Sequence, residues 1–252
     1  MKSKKTGGER EHYYPNDGVN PVISIIIVTL NPTPFDLEKC LDSIVRQSYQ
    51  NLEILIFDGG SRDDTLNIFQ KCERYISYWQ SEPDSGVYHA MNKAASKAGG
   101  DWLYFLGADD KLLPGFSDMA LRLSSSNTIY YGDMSYDGKP TSRKRYTTYR
   151  LAKETICHQA IFYPRSVFKK YQYDLAYPVA ADWALNLHLW SDRFYKFKFY
   201  PLLIADFSMS GISGRTKDHN FLRDQPLLIK KTLGLFAYYR FRLKQYKRLI
   251  KN

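Results

Sequence analysis

Cysteine is scarce in this chain: 3 among 252 residues, at Cys40, Cys72 and Cys157, with no close-spaced pair. That excludes a disulfide framework or a cysteine-based zinc site as the organising principle, and makes a reducing compartment the default. Long apolar runs are missing too. The most apolar stretch, Val22–Leu30, is far shorter than the ~20 residues that cross a bilayer. The opening MKSKKTGGEREHYYPNDGVN has no apolar h-region, so a signal peptide is not expected. These absences lead us to expect a cytoplasmic chain, soluble or peripheral on the inner membrane face.

Glycine loops for phosphates are also lacking. No G-x-G-x-x-G follows the first apolar run and no G-x-x-x-x-G-K-[ST] occurs, so the Rossmann dinucleotide and P-loop readings lose their main supports. No G-x-S-x-G elbow marks a hydrolase of that class. Acids are absent from one whole segment. Residues 230–252 hold eight bases (Lys230, Lys231, Arg240, Arg242, Lys244, Lys247, Arg248, Lys251) and no Asp or Glu. Residues 1–11 hold four bases and two acids, so the net charge of +10 leaves residues 12–229 formally neutral. A nucleic-acid partner would call for bases spread over a face between aromatic residues, and none is expected here.

What remains is globular: 44% hydrophobic, 15% aromatic, 21 Tyr. The length suits one large or two small domains. Residues 1–20 read as a flexible polar leader. VISIIIVTL is a β-branched run of the kind buried on both faces of a parallel sheet. Thr33-Pro34-Phe35-Asp36 is a helix start, with cap, proline and acid in order. Leu37, Leu41, Ile44 and Val45 continue it at helical spacing. Strands are expected at 52–57, 75–80 and 101–106, with helices from Asp63 and over 87–98. This β-α-β-α-β-α-β order predicts an α/β, doubly wound, mostly parallel sheet flanked by helices.

Ligands of such sheets sit outside the carboxyl ends of the strands. The polar residues there are Thr29 and Asn31, Asp58, Asp84, and Asp109 with Asp110. Any one is accounted for as a cap or turn residue, but four strand ends in succession deliver them to one rim. With no glycine loop, Asp109-Asp110 are the candidates to hold Mg²⁺ or Mn²⁺, which in turn holds a diphosphate. A solvated acidic turn is the other account of the pair. The second half is less regular: strands near 129–131, 161–163 and 195–205, a turn at Asp137-Gly138 and a helix over 181–190.

Three stretches, VISIIIVTLNPTPFDLEKCLDSIVRQSYQNLEILIFDGGSRDDTL, SEPDSGVYHAMNKAASKAGGDWLYFLGADD and the later CHQAIFYPRSVF with ADWAL, resemble glycosyltransferase family 2, the inverting nucleotide-sugar transferases of GT-A fold. The resemblance implies transfer of a sugar, by inversion, from a nucleotide-diphosphate donor such as a UDP-sugar to a glycan or lipid-linked acceptor in bacterial surface polysaccharide or glycolipid assembly. By the same resemblance Thr29 and Asn31 line the nucleotide pocket. Asp58 accepts from the base, Asp84 approaches the nucleoside, and Asp109 and Asp110 bind the metal. Asp182 is the catalytic base, and His158-Gln159 lie on the acceptor side. Three positions depart from the family pattern. Gly107 replaces the first acid of Asp-x-Asp, Ala181 replaces the Glu of a Glu-Asp pair, and Met91 stands where an Arg is common. Lys93 is the candidate to supply that missing positive charge among the nucleotide contacts.

Inverting transfer needs one base within ~2.6–3.2 Å of the acceptor hydroxyl, and a metal to stabilise the leaving diphosphate. Asp182 precedes an apolar helix, so an N-cap role competes with catalysis. His219 stays open as a further metal ligand. A nucleotidyltransferase and a catalytically silent nucleotide-sugar binder are the rival readings. We divide the chain into the leader, a GT-A domain over 21–227 and a basic amphipathic helix over 228–252. In that helix Phe236, Tyr239, Leu243, Tyr246 and Ile250 recur at steps of 3, 4, 3, 4, a single apolar stripe among bases. It suits an anionic membrane surface; packing on the domain is the alternative.

Overall fold

The computed structural model describes residues 4–8, 20–140, 145–208 and 216–250. Its first strand, β1 (Lys5–Gly7), falls inside the expected flexible leader and corrects that reading for those residues. The Gly8 N–H anchors it by donating to Glu73 Oε1 at 2.8 Å. The rest of the leader, apart from Lys4, Gly8 and Asn20, lies outside the described residues.

The β-branched run forms β2 (Ile23–Thr29), buried except at Thr29. Helix α1 (Pro34–Val45) starts as the capping pattern predicts: the Thr33 hydroxyl accepts from the Asp36 N–H at 3.1 Å, with Pro34 in the first turn. Next come β3 (Leu52–Asp58), α2 (Asp63–Lys71), β4 (Tyr78–Ser81), α3 (Val87–Lys97) and β5 (Trp102–Gly107). The less regular half adds β6 (Lys111–Leu112), α4 (Gly115–Ala120), β7 (Thr128–Tyr136), β8 (Lys139–Pro140), α5 (Thr148–Leu151), β9 (Ile161–Pro164), α6 (Arg165–Lys170), α7 (Ala181–Ser191), β10 (Lys196–Phe207) and α8 (His219–Leu249). Asp137 and Gly138, both at positive φ (46° and 77°), make the turn between β7 and β8.

One sheet runs β1-β4-β3-β2-β5-β9-β7-β10-β6, with β8 on β7. The block β4-β3-β2-β5 is parallel, and β9 then joins β5 antiparallel. Alternate side chains of β2 go to opposite faces. Ile25 and Ile27 pack with Leu37, Leu41 and Phe69, whereas Ile26 and Val28 pack with Phe57, Ala94 and Phe105. Both faces are core, which is why this strand has no polar alternation.

Register carries the consequence for function. Thr29 is paired with Asp58, Asp58 with Ser81, and Val28 with Gly107. Four parallel strands therefore stop in step, and the turns that leave them share one rim. The antiparallel pairing Leu103↔Tyr163 brings the residues just before β9, His158 and Gln159, beside the end of β5. Strands β7 and β10 are parallel and finish together, Tyr136 opposite Phe207.

Helix α8 begins at His219, ahead of the boundary expected at 228, and is interrupted at Gly234 (φ 84°, ψ 174°). That backbone region is open to glycine and costly for other residues. Before the break, Phe221 packs on Tyr177 and Trp183. After it, Ala237 and Phe241 are buried with Ala152 and Ile229. Among the described residues no helix is long and apolar enough to cross a membrane.

Candidate active site

A cavity of about 380 Å³ opens on the rim, with Thr29, Asn31, Asp36, Asp109 and Asp110 in its wall. Thr29 ends β2, and Asn31 comes two residues later at positive φ (49°), a conformation asparagine tolerates. The Asn31 N–H donates to Ser61 Oγ at 2.6 Å, tying this turn to the one after β3.

Asp110 is buried, with both oxygens held. Oδ2 accepts from the Gly107 N–H at 3.1 Å and from Gln159 Nε2 at 2.9 Å, and Oδ1 accepts from the Ser208 N–H at 2.9 Å. Burial pushes its carboxyl up to about 6; the Ser208 N–H opposes that, the charge of Asp109 adds to it, and the Gln159 amide opposes it. The glycine at 107 is part of this arrangement. A Cβ there would lie 2.6 Å from Asp110 Oδ2, so the missing first acid of Asp-x-Asp is the space into which Asp110 folds back.

The chemistry of this wall favours a cation. Asp36, Asp109 and Asp110 contribute carboxylates, and no Lys or Arg among the described residues lines the cavity. A diphosphate placed here needs a positive partner. Among the described residues no group of three His, Cys, Asp or Glu could hold a metal ion. One or two carboxylates completed by substrate phosphates is the usual way Mg²⁺ is held, and Asp109 with Asp110 fit that role.

Other residues singled out from the sequence stand differently. Asp58 is buried, and its carboxylate is spent on its own turn. Oδ2 accepts from the Gly60 N–H (3.1 Å), the Ser61 N–H (2.8 Å) and Ser81 Oγ (2.6 Å), and Oδ1 accepts from Ser61 Oγ. It is absent from the wall of the rim cavity; its own turn and Ser81 hold the acid at the strand end that spacing identified. Asp84 Oδ1 accepts from the Gly86 N–H at 2.8 Å, and Oδ2 lies 3.0 Å from where a Gly59 Cβ would be. It stands beside the wall, across Gly59 from Leu30. Lys93 pairs with Glu82 at 2.7 Å and lines neither this cavity nor the one beside it. Met91 lines the rim cavity in the buried state. His219 is exposed at the start of α8 and lines neither cavity.

A second cavity, about 670 Å³, adjoins the first. Tyr88, His158, Gln159, Val179 and Phe207 belong to both walls, whereas Asp182 belongs to the second alone. Four aromatic side chains, Tyr88, Tyr136, Trp183 and Phe207, line the second wall, with Tyr136 edge-on to Phe207 at 5.6 Å, and Asp137 and Lys139 add charge at the β7–β8 turn. Asp182 is the second residue of α7, whose cap position is Ala180. The N–H groups of Val179 and Ala180 are taken by Asp218 Oδ2 at 2.9 and 3.0 Å. Asp218, from the start of α8, thus holds the backbone just ahead of α7 by a long-range contact with no local sequence signal, while Asp182 itself takes a first-turn N–H of the helix, so a capping contact and a place in the cavity wall coexist in one residue. Asp182 Oδ1 accepts from Tyr88 Oη at 3.1 Å and the Trp183 N–H at 2.7 Å, while Oδ2 lies 3.2 Å from His158 Nδ1. Burial, then the charge of Asp182, pushes the Tyr88 phenol well up, so it stays a neutral donor.

His158 and Gln159 divide between the two sides. His158 meets Asp182. Gln159, placed by sequence on the acceptor side, instead donates to Asp110. Cys157, which the sequence did not single out, sets that amide's orientation: its thiol donates to Gln159 Oε1 at 2.6 Å, which turns Nε2 toward Asp110. Burial pushes the thiol far up, so it is a neutral donor and no nucleophile.

Comparisons with known proteins identify the family and the fold. The family model described as Glycosyl transferase family 2 matches residues 24–186. A "PGL/p-HBAD biosynthesis glycosyltransferase" of Mycobacterium bovis is 36% identical over 230 residues, covering 82% of this chain and 85% of that protein. A "GalNAc(5)-diNAcBac-PP-undecaprenol beta-1,3-glucosyltransferase" of Campylobacter jejuni is 27% identical over 140 residues, covering 54% of this chain and 45% of that one. Among solved structures, S. aureus TarS in complex with UDP-GlcNAc superposes with a TM-score of 0.61 at 15% identity, over 83% of this chain and 67% of that one. Against the longer TarS chain the TM-score is 0.63 at 15% identity, over 82% of this chain, which spans 38% of TarS. The TarS likeness is one of fold, the GT-A arrangement of sheet and helices.

Proposed function

The chain belongs to glycosyltransferase family 2, and from that premise we propose that it moves a sugar from a UDP-sugar, with inversion, to a hydroxyl of a lipid-linked acceptor in bacterial glycolipid or surface-polysaccharide assembly. That it is a glycosyltransferase rests on the family and on its relatives' activities. The donor proposal draws on the UDP-GlcNAc bound by TarS; the acceptor proposal draws on the undecaprenol-linked substrate named for the Campylobacter relative. A lipid-linked acceptor puts the enzyme at the cytoplasmic face of a membrane as a peripheral protein.

One observation carries the mechanism: the acid-walled rim cavity and the aromatic cavity meet at His158, with Asp110 on one side and Asp182 on the other. The donor occupies the rim. Thr29, Asn31 and Asp84 face its nucleoside end. Asp109 and Asp110 hold a divalent cation, Mn²⁺ or Mg²⁺, against its phosphates; when bound, the cation neutralises charge growing on the leaving diphosphate. The acceptor enters the aromatic cavity and presents its hydroxyl to Asp182. Tyr88 and the Trp183 N–H engage Oδ1, so Oδ2 receives the proton, beside His158. The deprotonating oxygen forms its bond to the anomeric carbon as the carbon–diphosphate bond breaks, and that electron pair leaves with UDP. Gln159, touching Asp110 while lining both cavities, spans the line between the two substrates.

The test is UDP release from a panel of UDP-sugars, with and without EDTA, in wild type and Asp182→Asn. Turnover of the variant should fall by about 10²–10⁴ while UDP affinity stays within about twofold of wild type, as expected for a base that makes no contact with the nucleotide. Undiminished turnover of Asp182→Asn would reject the mechanism, and UDP binding indifferent to EDTA would reject the cation.

A further inference from the structure

Helix α8 has two apolar faces after Gly234, and only one is covered. Ala237 and Phe241 turn inward, buried with Ala152 and Ile229. At about 100° per residue, Phe236, Tyr239, Leu243 and Tyr246 fall on the opposite side. Their exposures there are 81%, 60%, 60% and 63%, and Ile250 just beyond the helix stands at 67%. The two alternatives for this segment, packing or an outward apolar stripe, are thus both realised on one helix. Arg240 and Lys247 project along one flank of the stripe and Arg242 along the other. Arg240 lies over the Tyr149 ring at 3.8 Å, and Arg242 and Lys247 are exposed. Arg248, by its side chain, and Lys251 lie outside the described residues.

We propose that this outer face is a docking surface for an anionic lipid bilayer. An apolar stripe flanked by bases is the pattern of a helix lying in the plane of a bilayer interface, apolar residues in the acyl boundary and bases against anionic headgroups. Charge selects this occupant over a second copy of the chain. Residues 230–252 hold eight bases and no acid, so two such faces apposed would repel. The helix that carries the surface packs, by its opposite face, one residue away from a contact of the second cavity's wall. Trp183 of that cavity donates to the Leu151 carbonyl at 2.8 Å, and the next residue, Ala152, is the one the inner face of α8 covers. Docking would thus hold the proposed acceptor cavity close to the bilayer that carries a lipid-linked acceptor. The docking surface rests on that proposed function, since it is where the acceptor would be met, but its test needs no turnover, so the two can fail separately.

The experiment is flotation of the full chain with vesicles of mixed phosphatidylglycerol and phosphatidylcholine, and with phosphatidylcholine alone. It compares wild type, Phe236→Ser with Leu243→Ser, and Arg242→Glu with Lys247→Glu. These side chains are exposed, so the melting temperature and circular dichroism should match wild type. Wild type should float with the anionic vesicles, less in high salt, and stay down with the neutral ones. Each double variant should partition at least about tenfold less. Equal flotation of wild type and both variants would overturn the proposal. So would equal binding to neutral vesicles, or a concentration-dependent dimer that Phe236→Ser with Leu243→Ser dissolves while wild type ignores vesicles.

Discussion

The two cavities meet at one histidine yet are built in opposite ways. Strand ends cut in step, with their turns, make most of the rim wall: Thr29 and Asn31 after β2, Gly107 to Asp110 after β5. It is acidic and has no Lys or Arg among its described residues. The second wall is assembled from the β7–β8 turn, the segment before β9, the first turn of α7 and the last residue of β10. It carries four aromatic rings, and Asp182 is its buried acid. An acidic wall suits a charged donor that brings its own cation. Aromatic rings suit an acceptor with an apolar ring face. The pairing of the two is a product of topology: β9 runs antiparallel beside β5, and so sets His158 and Gln159 between them.

Removing Asp110 should separate the cavities most sharply. Asp110→Ala should lower donor affinity by more than about tenfold and abolish its dependence on Mn²⁺ or Mg²⁺, measured by titration with UDP. The same acid has a pH signature without added cation. Its carboxyl is raised from 3.8 to about 6, so the folded state binds this proton more tightly than the unfolded one. Stability from this group is full below the ordinary value and is lost as pH rises toward 6. The loss is on the order of 2–3 kcal/mol, and Asp110→Ala should flatten it in thermal melts.

A smaller effect is expected in the second cavity. Tyr136→Ala should raise the acceptor KM roughly fivefold through lost ring contact and leave the donor KM unchanged. An equal rise in both would merge what we separate. The smallest effect tests a residue that belongs to neither wall. Lys93→Ala should change donor KM by less than about twofold. It removes a partly exposed pair with Glu82, whose contribution is about 0.5 kcal/mol of stability.

The contrast also explains what could be read in advance. Thr29, Asn31, Asp109 and Asp110 were legible because parallel strands must end at short turns, and polar residues there have one rim to occupy. The partners that hold Asp58 and Lys93, namely Ser61, Ser81 and Glu82, leave no trace in spacing. Cys157, which turns the Gln159 amide toward Asp110, and Asp218, which holds the backbone ahead of α7, give no periodic signal.

Hydrophobic periodicity and turn chemistry are local, so the order of strands and helices, the acidic rim and the apolar stripe of the last helix were determined by the sequence alone. Which acids stay available, which face of that helix is covered, and that Asp182 shares a boundary with Asp110 were decided only by the tertiary structure. Those outcomes depend on competition for hydrogen bonds and buried area between residues far apart in the chain, and that competition is settled only when the sheet has closed.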